Sequence, residues 1–166
     1  MKEHGLMFKG YMVRALLLDK TQTRRTNLNT KYAVGDRIWV KETYTLTQFG
    51  KPVFRADSRD SDGYFWTSVA SDPKGVKWKS SMLMPRRVAR ILLEITALRD
   101  EPLGLITDDD ARAEGVAEYA KTLPDSVTEE MSRVEGYIHL WESINGPGSW
   151  NPDQVVRVIT FKRVTP

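Results

Sequence analysis

A chain of 166 residues, 40% of them hydrophobic, has material for one core of ordinary size and little to spare for a second. With 0 cysteines there are no disulfides, thiolate nucleophiles or thiolate metal sites, and with His4 and His139 the only imidazoles neither a zinc hydrolase, which spends two or three His or Cys ligands, nor a serine triad, which needs a positioned imidazole, is expected. The formal net charge of +3 argues only weakly for a polyanionic partner.

No stretch approaches the ~18 to 20 apolar residues of a membrane span, and the opening Met1-Lys2-Glu3-His4-Gly5 has no apolar run of signal type. The expectation is a cytoplasmic protein with no membrane partner and no cofactor or metal; its oligomeric state is not legible in the sequence.

From Tyr11 to Leu18, Met12, Val13, Ala15, Leu16 and Leu17 repeat with helical period and predict a first helix. It feeds into the connection Lys20-Thr21-Gln22-Thr23-Arg24-Arg25. Gly35-Asp36 reads as a turn opening a strand over 37–44, where Ile38 and Val40 alternate with Arg37, Trp39 and Lys41. Residues from about 46 to 81 are rich in Gly, Asp, Ser and Lys, with short β-favouring pieces at 53–56, 64–67 and 76–79. They predict a long hairpin-bearing excursion of a kind that often serves binding.

A strand follows over 87–96, with Ile91, Leu93 and Ile95 on one face. Thr107 is placed to cap a short helix through Asp110, and Gly115 to end it, which makes Glu114 its last side chain. A longer helix is expected from Ser126 or Thr128 to about Ile144, with an apolar face of Val134, Tyr137, Ile138, Trp141 and Ile144; His139 falls off that face into solvent. Asn145-Gly146-Pro147-Gly148 breaks it. The strand over 155–164 is apolar on both faces and belongs inside the sheet. With no repeats or linkers, residues 1–166 read as one α+β domain.

Lys20 and Thr23 are three residues apart, within reach of each other if the turn is helical. A lysine serves as a base only when its pKa falls from ~10.4 towards neutrality, which burial and neighbouring cations such as Arg24 and Arg25 would favour. The same residues also read as a solvated basic turn. Basic residues cluster again at Arg86, Arg87 and Arg90 and at Lys74, Lys77 and Lys79, either as solvated faces or as an RNA-facing surface. Arg25, Lys79 and Arg86 are the candidate nucleic-acid contacts. Trp39, Tyr44, Phe54, Tyr64, Phe65, Trp66 and Trp78 are candidate stacking surfaces for a base, Trp66 and Trp78 foremost because they lie in the excursion. Trp141 and Trp150 are assigned to packing.

The run Leu16-Leu17-Leu18-Asp19-Lys20-Thr21-Gln22-Thr23-Arg24-Arg25, with Val34-Gly35-Asp36-Arg37-Ile38-Trp39-Val40-Lys41-Glu42-Thr43, resembles the ASCH superfamily. Met84-Pro85-Arg86, Ile106 to Gly115 and Leu140 to Gly146 resemble ASCH proteins of phages and prophages. The resemblance implies a PUA-like fold: a mixed, mostly antiparallel β-barrel of about five to six strands with about three flanking helices. Small bacterial members include N4-acetylcytidine amidohydrolases that use a lysine, a threonine and a glutamate, which here match Lys20, Thr23 and Glu114. Leu18 stands where family members commonly carry a glycine that would relax the end of the first helix.

The resemblance thus implies an amidohydrolase acting on N4-acylated cytidine or a related modified nucleoside, free or in RNA. Thr23 is its nucleophile, Lys20 the activating amine and Glu114 the proton carrier; activation of water by Lys20 and Glu114 is the variant mechanism. Backbone N–H groups near 22–25 or the Arg24 guanidinium are the candidate oxyanion donors, and Arg24, Trp39, Glu42 and Trp66 are placed around the base. The competing reading is a non-catalytic module of phage-regulator type that binds RNA or a modified nucleoside. RNA cleavage is disfavoured because neither histidine falls in a matching motif.

Overall fold

A computed structural model of the chain describes residues 1–47, 49–57 and 77–165. Five strands form one sheet in the order β1 (Glu3–Met7), β3 (Arg37–Lys41), β6 (Leu92–Pro102), β7 (Val155–Val164) and β2 (Gln22–Arg25). β1 pairs with β3 in parallel and every other pairing is antiparallel. A separate two-stranded ribbon joins β4 (Tyr44–Leu46) to β5 (Pro52–Phe54).

This is a mixed, mostly antiparallel α+β fold, as the sequence predicts, but the described residues form no closed barrel. β1 and β2 remain edges of an open sheet. They are short beside β6 and β7, and a side chain rather than a backbone ladder spans their separation: Arg25 Nη2 donates to Met7 O at 3.1 Å.

β7 lies inside the sheet, where a strand apolar on both faces belongs. The strand expected over 87–96 instead spans Leu92–Pro102, because Arg86–Val88 form a 3-10 turn after Pro85; a bulge between Ile95 and Ala97 lets its long pairing with β7 bend. The strand expected over 37–44 divides into β3 and β4. The break falls at Glu42, whose side chain is pulled inward to Arg90 and whose backbone N–H meets Met84 Sδ at 3.2 Å.

The described residues form five α-helices, more than the three or so expected, and four of them pack into the core beside this sheet. α1 (Gly10–Leu18) buries Met12, Val13, Ala15 and Leu16. α2 (Asp108–Ala113) begins with the Thr107–Asp110 capping box read from the sequence. Gly115, at φ +79°, turns the chain into α3 (Val116–Ala120). The long C-terminal helix is interrupted: α4 (Asp125–Thr128) stands apart, and α5 (Arg133–Asn145) starts from a second capping box, Ser132 with Glu135. One apolar cluster joins α1, α2, α3 and α5 to Ile38, Val40, Leu93, Ile95, Val156, Ile159 and Phe161 of the sheet. No helix among the described residues is long and apolar enough to cross a membrane.

Candidate active site

Helix α1 delivers Lys20 to the interior by a tight exit. The N–H groups of Asp19 and Lys20 both donate to Ala15 O at 3.0 Å, and Thr21 N–H then donates to Ala113 O at 2.9 Å, tying the start of β2 to the end of α2. Leu18 completes the last helical turn with its side chain exposed, and no non-glycine residue among those described has positive φ. The helix therefore ends without the left-handed residue that a glycine there would serve. The close approach is made elsewhere. A Cβ on Gly115 would lie 2.5 Å from Ala15 Cβ and 3.3 Å from Lys20 Cβ, so this glycine lets α2 settle against the lysine.

Glu114 immediately precedes that turn and is buried with Lys20, 94 positions away. Lys20 Nζ donates to Glu114 O at 2.6 Å and to its Oε2 at 2.9 Å. The other carboxylate oxygen accepts from Arg24 Nη1 at 3.1 Å. Arg24 also donates to Gln22 Oε1 and Glu101 Oε1 and lies 3.1 Å from Asp110 Oδ2. Arg99 closes the network on Glu101 and Asp110, so three cations meet three carboxylates at the junction of β2, β6 and α2. Burial pushes the Lys20 ammonium below its ordinary range; Glu114 opposes the shift, and Arg25 and Arg24 add to it. The net direction favours a lysine that gives up its proton more readily than one in water.

A pocket of about 150 Å³ opens beside this pair, lined from one side by Met7, Phe8 and Lys9 after β1 and from the other by Thr23 to Thr26 of β2. It sits where the open sheet leaves its two edge strands unjoined. Lys20, Arg24 and Glu114 form part of its lining, and α5 supplies Tyr137, Leu140 and Trp141. Phe8, Tyr137 and Trp141 are thus its aromatic walls. None was singled out as a stacking surface from the sequence, since an apolar helix face that packs a core and one that lines a pocket carry the same periodicity. Trp141 does both, as its Nε1 donates to Ser149 O while its ring meets Trp150 edge-on.

Three hydroxyls in this lining have no hydrogen-bond partner among the described residues: those of the buried Thr23 and Tyr137 and that of the exposed Thr26. The Thr23 and Tyr137 hydroxyls are not among the unpartnered polar atoms sealed from solvent, and both residues line the pocket. Lys20 and Thr23 share it without a hydrogen bond between them.

The other predicted site residues disperse. Arg25 lines the pocket, stacked 4.9 Å from the Phe8 ring centroid. Trp39 lies across β3 from the core-facing Ile38 and Val40, its indole packed on Gly5 with Lys41 Nζ 5.3 Å away; it is not part of this pocket. Glu42 belongs to a second cluster. Fully buried, it takes two hydrogen bonds of 2.9 Å from Arg90, which also grips Asp57 and lies 4.1 Å from the Phe54 ring; burial pushes the Glu42 carboxyl up, against the pull of Arg90. Arg86 is bound to Glu3 through two hydrogen bonds, and Lys79 is exposed with Nζ 5.9 Å from the Tyr44 ring. Trp66, with Tyr64, Phe65 and Lys74, lies outside the described residues.

Fold and site together define a mixed α+β domain that presents a small pocket of mixed polar and aromatic lining, with unpartnered hydroxyls, beside a buried amine–carboxylate pair. No family model matches the sequence, and no curated protein matches it. Among solved structures, the chain is similar to an ASCH domain from Lactobacillus crispatus JV V101 at 12% identity and a TM-score of 0.46, over 99% of this chain and 80% of that one. It is similar also to protein EF3133 from Enterococcus faecalis V583, of the DUF984 family, at 12% identity and a TM-score of 0.42, over 90% of this chain and 64% of that one.

Proposed function

We propose that this chain is an ASCH-type amidohydrolase that removes the acyl group from N4-acylated cytidine or a closely related modified nucleoside. The observation that carries the reading is the convergence of Lys20, Glu114 and Thr23 on one pocket from distant parts of the chain. A pocket near 150 Å³ suits one planar ring, since a cavity of about that size in another protein binds benzene. The ribose then lies outside.

In the proposed reaction Thr23 Oγ1 attacks the acyl carbonyl carbon and passes its proton to the neutral Lys20 amine. As the tetrahedral intermediate collapses, the bond from carbon to N4 breaks and N4 takes that proton, with Glu114 steadying the ammonium between the two transfers. Water, deprotonated by Lys20, then attacks the acyl-threonine; the bond from carbon to Thr23 Oγ1 breaks, Oγ1 takes the proton back from Lys20, and the carboxylic acid is released. The free nucleoside is favoured over RNA because three of the five clustered arginines, Arg24, Arg86 and Arg90, face carboxylates.

A second reading, a module that binds the modified nucleoside without cleaving it, draws on the hydrogen bonds of Lys20, which go to Glu114 rather than to Thr23. Release of cytidine from N4-acetylcytidine separates the two. The hydrolase reading expects wild-type turnover that Lys20→Ala and Thr23→Ala each nearly abolish and Thr23→Ser partly retains. The Lys20→Ala/Thr23→Ala double variant should be hardly worse than either single one. Near-normal turnover by Lys20→Ala, or tight binding without turnover by the wild type, would favour the binding module.

A further inference from the structure

Acyl transfer leaves negative charge on the carbonyl oxygen, and the groups offered for it by the sequence are largely spent. Both terminal nitrogens of Arg24 are bonded to Gln22 and to carboxylates, its side chain is 0% exposed, and its Nε is sealed without a partner. It cannot reach a bound acyl group without dismantling the network that holds Glu114. Lys20 is engaged by Glu114 and is needed for proton transfer. Thr23 is the attacking group. Among the described side chains of the lining, the donors left are the Tyr137 hydroxyl, the hydroxyl of the exposed Thr26, and the Arg25 guanidinium, which already bonds Met7 O.

We propose that Tyr137 is a further catalytic residue, whose phenolic O–H donates to the acyl carbonyl oxygen of the bound substrate and strengthens that bond as the oxygen becomes an oxyanion. The proposal rests on the amidohydrolase reading and adds to it the group that stabilises the transition state.

Three features suit Tyr137 to this task. It lines the pocket, and its hydroxyl is not sealed from solvent and has no partner among the described residues to compete for it. Its ring is held on several sides, with Trp141 and Trp150 at 6.3 and 6.2 Å between centroids and the Arg24 guanidinium 5.9 Å from its own centroid, so the donor is aimed before substrate arrives. Burial, reinforced by the nearby Glu114 carboxylate, pushes its ionisation well above the ordinary tyrosine range, which keeps the proton on oxygen at neutral pH. Arg25 is the rival donor, placed beside Phe8 and bound to Met7 O.

Tyr137→Phe removes the donor and retains the ring, so the packing with both tryptophans survives. With N4-acetylcytidine as substrate, kcat should fall by about 10² to 10³-fold, the usual cost of one oxyanion donor, while KM rises by about tenfold or less. A purely structural tyrosine would not produce that split. A second measurement needs no turnover: in a Thr23→Ala background, Tyr137→Phe should weaken binding of N4-acetylcytidine by about tenfold or less, the worth of one neutral hydrogen bond, and leave binding of cytidine, which lacks the carbonyl, unchanged.

Wild-type kcat in Tyr137→Phe, equal weakening towards both nucleosides, or a kcat loss found in Arg25→Met but not in Tyr137→Phe, would overturn the assignment while the hydrolase reading stands. A wild-type protein that neither binds nor cleaves N4-acetylcytidine removes both.

Discussion

Lys20 is subject to two opposed influences, and the balance between them is measurable. Burial works against its charged form while Glu114, 2.9 Å away, works for it, with a net pKa below the ordinary lysine value. A base must be neutral to accept a proton, so log kcat for deacylation should rise with pH along a limb whose midpoint lies below ~10.4. A profile flat from neutral to alkaline pH would separate Lys20 from the proton transfer. The sign for stability follows from the same shift. Between the lowered folded pKa and the higher unfolded one the unfolded chain binds more protons, so stability rises with pH across that window and is lost as pH falls through the folded value. Glu42 runs the other way: its raised folded pKa gives a contribution complete below the unfolded carboxylate value and lost as pH rises through the folded one. The two buried groups therefore leave separate signatures, one acidic and one alkaline, in pH-dependent unfolding.

At the scale of elements, the site depends on α2 meeting the exit of α1 over a residue without a side chain. Gly115→Ala would force φ +79° on a residue with a Cβ and drive that atom to 2.5 Å from Ala15. Strained backbone and overpacking together should cost about 2 to 4 kcal/mol in denaturant unfolding and reduce turnover by displacing Lys20. Leu18→Gly is the contrasting test. Restoring the residue common in the resembled family should destabilise an exposed helical position by about 1 kcal/mol and leave turnover intact; an increase in activity would contradict the helix exit described here. The same elements show what could be read beforehand. α1, the Thr107 capping box and the strand over 155–164 carry strong apolar period or cap chemistry and lie where expected. β2 was read as a connection because its buried residues are Gln22, Thr23 and Arg24, and a periodicity of apolar side chains is blind to a strand that buries polar ones. β1 has little more than Leu6 to reveal it. Ser132-x-x-Glu135 carries the capping signal at which α5 starts, six and four residues beyond the expected Ser126 and Thr128. The triad of types Lys, Thr and Glu came from resemblance, whereas the aromatic wall needed coordinates.

For the whole molecule, charge clusters along the sequence are poor guides to charge on the surface. Arg24, Arg86, Arg90, Arg99 and Arg157 are each bonded to carboxylates from other segments. Near the pocket, Lys9 and Arg25 bond backbone carbonyls instead and remain available to a phosphate. Any affinity for single-stranded RNA should accordingly depend weakly on salt, with a slope of log affinity against log salt of about −1 to −2, as for one to three phosphates neutralised. A slope near −5 would reveal a polyanion track not apparent in these residues. Sheet order has a consequence of another kind, for synthesis. β2 has a single neighbour in the sheet, and Thr23 is aligned with Ile159 of β7. While the chain is being made, Lys20 and Thr23 emerge early but find no partner strand until Val155–Val164 has followed them. The pairing is of the long-range kind that folds late. Before then the polar residues of β2 stay in water, and the amine that the finished protein conceals is an ordinary, fully charged lysine.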